Sequence, residues 1–292
     1  MAASPSSGPR AAQPATDRVA IGGTVAVGST VTVAAGASVA AGSTVAAGDA
    51  GADPGDRHRR NGNERLRRAV VAGHRSDAET ARALADDPDP AVRAAALGAL
   101  DRLGAWDRSV LSKALADADP AVRRRAVTIA GRRCTVSARG PDDLASRGED
   151  LAAQGSALLA ATADPDPTVA EAAAWAVGEL PAPARPTGTV EALATVATTH
   201  DDPLCREAAV AALGAVGDPA GLPAVLQALD GKPPLRRRAA VALAAFDDPT
   251  ADDALRRCLA DHDWQVREVA EELIGPDAGG LGGTVSATNG DG

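Results

Sequence analysis

Asp89-Pro90-Ala91-Val92-Arg93 opens a run of Ala and Leu, and the same short signature returns along most of the 292-residue chain. It reads Asp119-Pro120-Ala121-Val122-Arg123, then Asp166-Pro167-Thr168-Val169, then, more loosely, Asp202-Pro203-Leu204-Cys205-Arg206. Degenerate copies are Lys232-Pro233-Pro234-Leu235-Arg236 and Asp263-Trp264-Gln265-Val266-Arg267. With the Val (or its substitute Cys205 or Leu235) as position 0, the copies lie 30, 47, 36, 30 and 31 residues apart. A period near 30 suits one helix-turn-helix unit, and its recurrence predicts an array of such units. Leu66, followed by Arg67, is read as an earlier copy.

Each residue of the signature has a physical job in starting a helix. Asp at position −3 is an N-cap, its carboxylate accepting an otherwise unpaired backbone N–H. Pro at −2 suits the first helical turn, where no N–H is needed. Positions 0, 4, 7 and 8 share one face at 3.6 residues per turn. Position 4 is Ala in all six signature copies: Ala96, Ala126, Ala173, Ala209, Ala239 and Ala270. Ala there lets two helices approach closely, so Leu at Ala173 or Ala209 should overpack the contact and lower the melting temperature. A melt like the parent's would mean that this register is wrong.

This pattern, with its Ala-Ala-Leu-Gly tail at residues 211–214, resembles HEAT repeats of the short-period kind found in phycobilisome-lyase-like proteins, over residues 63–275. The resemblance implies an all-α fold: a right-handed α-α solenoid of about six repeats, whose second helices line a concave surface. The family includes scaffolds, chromophore lyases, a di-iron hydroxylase and some DNA glycosylases, so the fold leaves the function open.

Composition narrows the choice. Aromatic residues make up 1% of the chain and the net charge is −9. That charge argues against a general nucleic-acid or anionic-membrane surface. Cys134, Cys205 and Cys258 are far apart and form no CxxC pair, which suits a reducing cytoplasm. Residues 1–18 read as a disordered tail, 51–62 as a linker and 276–292 as a second disordered tail. Residues 19–50 repeat every six residues, with Val19, Val25 and Val31 in one phase and Val33, Val39 and Val45 in another. They are open to three readings: a low-complexity linker, a weakly β-structured stack similar to hexapeptide β-helices and capable of self-association, or a membrane anchor.

Two groups of residues stand out as functional candidates. Arg at position 1 (Arg93, Arg123, Arg206, Arg236, Arg267) lies at the margin of the buried face. It is expected to form a structural ladder with turn carbonyls and the capping residues Asp89, Asp119, Asp166, Asp202 and Asp263. Positions 2 and 6 point away from the buried face and carry Arg124, Glu171, Trp175, Glu207 and Arg237, the candidate partner-binding set. Gly131, Gly178 and Gly214 at position 9 read as further lining of this groove. Trp175 is either an exposed anchor or covered by residues 135–154 or 181–188. Trp106 and Trp264 read as packing plugs.

Enzymatic readings find little support in the residues. The hydroxylases of the family hold two irons with His-Glu pairs, whereas the four histidines here read His58-Arg59, His74-Arg75, His200-Asp201 and His262-Asp263. Nothing marks a tetrapyrrole groove, a phosphate loop or a catalytic triad. The sequence therefore points to a cytoplasmic, non-catalytic protein-binding scaffold or adaptor, with no catalytic residue, metal or cofactor assigned. A lyase-like or hydroxylase-like enzyme is the alternative.

Overall fold

A computed structural model describes residues 54–137 and 141–275, with side chains over 59–134 and 151–275. The tails, the six-residue repeat at 19–50 and its possible self-association lie outside the described residues.

Among these residues the chain forms thirteen α-helices and two short 3-10 turns, with no strand. The odd-numbered helices are α1 (Pro54–His74), α3 (Pro90–Arg102), α5 (Pro120–Ser137), α7 (Pro167–Gly178), α9 (Pro203–Val216), α11 (Pro233–Leu243) and α13 (Trp264–Ile274). They are the second helices of the repeats, and each packs on the next in the series. The even-numbered helices are α2 (Ala78–Leu84), α4 (Arg108–Leu115), α6 (Pro141–Ala161), α8 (Thr189–Thr199), α10 (Leu222–Ala228) and α12 (Pro249–Cys258). Each of these packs on the second helix that follows it. The result is a two-layered helical array of six pairs preceded by α1.

Helix starts follow the signature. Asp89, Asp119, Asp166, Asp202 and Asp263 accept the backbone N–H of Ala91, Ala121, Thr168, Leu204 and Gln265 at 2.8–3.0 Å. Lys232, in the degenerate copy, makes no side-chain cap. The first boundary differs from expectation. α1 begins at Pro54 rather than near Asn63, so residues 54–62 are helical and not linker. A 21-residue helix of high polarity persists there because its last turns pack on α2 and α3.

The core is narrow and built of small side chains. All six Ala at position 4 are buried, as are Val92, Val122, Val169, Cys205, Leu235 and Val266 at position 0. At 100° per residue, positions 0, 4 and 8 face the first helix of the same pair. Positions 5 and 9 then face the next second helix, and 3 and 7 the preceding one. Positions 2 and 6 remain on an open face. The extra residues between the second and third copies lengthen α5 and α6.

Candidate binding face of the second helices

The position-1 arginines tie neighbouring repeats together. Arg93 donates from Nε and Nη2 to the two carboxylate oxygens of Asp117 at 2.8 and 2.7 Å. Arg123 does the same to Asp164, at 2.8 and 2.7 Å, and Arg236 to Asp261, at 2.9 and 2.8 Å. The remaining nitrogen, Nη1, donates to turn carbonyls of the arginine's own repeat: Asp87 and Pro88 for Arg93, Asp117 and Ala118 for Arg123, Gly231 for Arg236. Arg267, in the last copy, donates to the carbonyls of Asp261 and His262.

The carboxylate in each rung is not the capping Asp, as the sequence reading expected, but the Asp two residues before it. Asp117, Asp164 and Asp261 each accept the N–H of the following cap, Asp119, Asp166 and Asp263, as well as the arginine fork. The cap itself is occupied with its own helix, so the earlier Asp is the one free to reach back. The first rung is Arg65 with Asp87 at 2.8 Å, and Arg67, expected there, is exposed. Arg206 departs from the pattern. Its Nε is buried without a hydrogen-bond partner, and Asp230, at the matching acceptor position, is exposed. The neighbouring junction has lost both members: Ala170 replaces the Arg and His200 the Asp. His200 Nδ1 still accepts the N–H of the cap Asp202 at 3.0 Å.

The open face carries the other candidates. Arg124 is exposed on α5, Glu171 is half-buried on α7, and Glu207 and Arg237 are half-buried on α9 and α11. Arg237 donates to Gln265 on α13 at 2.6 Å. Trp175 is 47% exposed, so none of the described segments covers it. The proline-rich loop packs elsewhere: Ala184 lies against Gly155 of α6, and Arg185 donates to the Leu180 and Val216 carbonyls. A Cβ on Gly131 would stand 3.6 Å from Trp175 Cζ3, so the indole leans onto α5. Val241, at the same position two repeats on, is also 47% exposed.

Three expectations need correction. Gly131, Gly178 and Gly214 do not line the groove but sit where successive second helices cross. A Cβ on Gly178 would lie 2.7 Å from Ala212 Cα, and one on Gly214 would lie 2.8 Å from Ala242 Cα. Position 9 of one repeat thus meets position 7 of the next, where only Gly on one side and Ala on the other fit. Trp264 is no plug, since it is 59% exposed at the start of α13. The capping aspartates are not the ladder's ionic partners. Trp106 is buried as expected, with its indole N–H unpaired.

Other places in the fold offer less. A cleft of about 600 Å³ opens between α2 and α4 over Leu97, Leu100 and Val122. Its rim is largely engaged with itself: Lys113 with Asp86, Arg93 with Asp117, and Asp107 as the cap of α4. The cysteines are buried, and burial pushes the thiols of Cys134 and Cys205 up to about 11, so neither is a ready nucleophile. Among the described residues, no three His, Cys, Asp or Glu are grouped to hold a metal ion, and no helix is long and apolar enough to cross a membrane.

Stacked helix pairs with a repeated arginine–aspartate rung define an α-helical repeat solenoid. The family model for HEAT repeats matches residues 60–147, 155–241 and 190–275, and the chain belongs to that family. Among the solved structures it resembles, one reaches a TM-score of 0.50 and shares the fold. It is an engineered protein, 17% identical, and the match covers 68% of this chain and 97% of its own. A designed armadillo-repeat protein is 16% identical with a TM-score of 0.47, covering 68% and 98%. Human deoxyhypusine hydroxylase is 19% identical with a TM-score of 0.29, covering 62% and 78%. A search of curated proteins gives no match.

Proposed function

We propose that this chain is a non-catalytic cytoplasmic scaffold or adaptor that binds another protein through the open face of its second helices, the concave side of the solenoid. The observation that carries this reading is Trp175. A large aromatic side chain, 47% exposed, stands one turn beyond Glu171 on a face whose other residues are small, aliphatic or charged. It is one of two exposed Trp in a chain with 1% aromatic residues, the other being Trp264 at the start of α13. Exposed Trp on a rigid surface is the side chain most enriched at the energetic centre of interfaces.

Trp175→Ala tests the reading. The variant should melt close to the parent, because the indole is 47% exposed and lies off the face that packs on the first helices. It should lose about 2 kcal/mol or more of partner affinity, roughly thirtyfold. Quantitative affinity capture with the full chain and the variant, followed by mapping of cross-links to α5–α9, reads this directly. An unchanged captured set, or cross-links confined to the first helices, would remove the open face from consideration. Stoichiometric iron in the purified protein would instead favour a hydroxylase-like enzyme.

A further inference from the structure

The open face is not uniform in charge, and its imbalance names a class of ligand. At the α3–α5 end, Asp101 receives both Arg132 at 3.0 Å and Arg133 at 3.3 Å. That carboxylate is therefore committed. The guanidinium groups of Arg102, Arg124 and Arg125, all exposed on the same two helices, make no hydrogen bond or ion pair among the described residues. Two of the three are nevertheless held in place. The Arg125 guanidinium lies over Gly98 of α3, where a Cβ would collide with it. A terminal nitrogen of Arg102 lies 2.7 Å from where a Cβ on Gly73 of α1 would stand. Glycine on the preceding helix thus seats a guanidinium in the seam between helices. The charged groups that Arg125 senses are Arg132, Asp101 and Arg102, two cations to one anion. Burial, then the charge of Arg132, lowers its pKa, so it sits in surroundings that under-compensate its charge.

We propose that the α3–α7 part of this face binds a short acidic peptide segment of a partner protein. Its carboxylates pair with Arg102, Arg124 and Arg125, and an adjacent apolar side chain packs on Trp175. This rests on the open-face reading above and adds the chemistry of the partner. Seated guanidinium forks are suited to carboxylates, which they can engage through two parallel hydrogen bonds. The chain as a whole is acidic, with a net charge of −9, so a cluster of unpaired arginines stands out against its background. The same face also limits the length of the anion. Glu171 and Glu207 follow on α7 and α9, and Glu268 and Glu272 stand on α13. A nucleic-acid strand running along the solenoid would meet these carboxylates, whereas a short acidic run ending in an apolar residue meets arginines and then Trp175.

The experiment measures fluorescence anisotropy of a labelled peptide, a short Asp/Glu run followed by Leu, titrated with the full-length chain. Salt is held at about 0.1 M, where the Debye length is about 10 Å and long-range attraction is screened. A Lys-for-Glu peptide and a single-stranded oligonucleotide of equal charge are the comparison arms. The acidic peptide should bind saturably, and the Lys peptide should not. The Arg124→Gln/Arg125→Gln double variant should bind about tenfold or more weakly, the loss expected when charge-assisted hydrogen bonds are removed. Arg256→Gln, at an exposed pair with Asp253 on α12, should change nothing. If the double variant melts below the parent, Arg102→Gln repeats the test. The proposal is overturned by no saturable binding, by binding that the Gln variants leave unchanged, or by tighter binding of the oligonucleotide. A protein captured through Trp175 but indifferent to the Gln changes and to salt would overturn the acidic class and leave the scaffold reading standing.

Discussion

Gly214→Leu should lower the stability of the chain by about 3 kcal/mol, at the upper end of the range for overpacked cores. The obstruction is backbone. A Cβ at Gly214 would come within 2.8 Å of both Cα and Cβ of Ala242 on α11, and a helix axis cannot move aside as a side-chain tip can. For a chain of this size, a loss of that order corresponds to a drop in melting temperature of about 6–12 °C. Even Gly214→Ala should destabilise, although Ala is favoured over Gly inside a helix by about 1 kcal/mol. Gly98→Ala supplies the contrast. There the added methyl meets only the flexible end of Arg125, so helix propensity should win and the variant should melt at or above the parent. Thermal melts followed by circular dichroism separate the two. Equal stabilisation by Ala at both positions would show that the second helices do not cross where position 9 meets position 7.

Removal of a rung is the second large effect. Arg123→Ala leaves Asp164 with only the Asp166 N–H, in a site where the carboxylate side chain is 10% exposed. Breaking a largely buried pair from one side costs about 3 kcal/mol, because the remaining charge is left uncompensated. Asp164→Asn should be milder, since the amide oxygen can still accept the cap N–H. In a double-mutant cycle with Arg123→Met, the coupling should exceed about 1 kcal/mol. A coupling near zero would reduce the rung to a solvated surface pair.

The rungs also set an acid limit. Hydrogen bonds from Arg123 hold Asp164 below the usual carboxylate range, against the opposing effect of burial, and Arg236 does the same for Asp261. At Asp117 burial pushes the carboxyl up, but the Arg93 fork and the Asp119 N–H outweigh it and leave it lowered. A carboxylate with a depressed folded-state pKa contributes stability above its unfolded value of about 3.9 and loses that contribution as pH falls through the folded value. Melting temperature should therefore be flat above about pH 5 and fall steeply below about pH 4. In the Asp164→Asn variant the fall should be shallower. An acid limb of parental steepness in that variant would exclude Asp164 as a contributor.

The local half of each rung could be read from one repeat alone. Asp caps, Pro starts the helix, and Val and Ala turn inward, because these roles depend on backbone groups within four residues and on a 100° step. The arginine's partner could not be read that way, since Arg93 and Asp117 are 24 residues apart and Arg123 and Asp164 are 41 apart. A signal existed: Asp-x-Asp-Pro recurs at residues 87–90, 117–120 and 164–167, and its first Asp is the partner. The second Asp drew attention because capping is a local rule, whereas the first acquires its role only when one repeat is laid on the next. The Arg102 and Arg125 seats were hidden for the same reason, because each depends on a glycine of the preceding second helix.

By itself the sequence determined the helices, their pairing, the inward face and the family, since all of these follow from periodicity and short-range hydrogen bonding. Tertiary structure alone decided which aspartate closes a rung, which glycines are crossing points and that Trp175 stands clear of the proline-rich loop. Those outcomes depend on the angle and offset at which one repeat stacks on another, and close packing at Gly–Ala contacts fixes both.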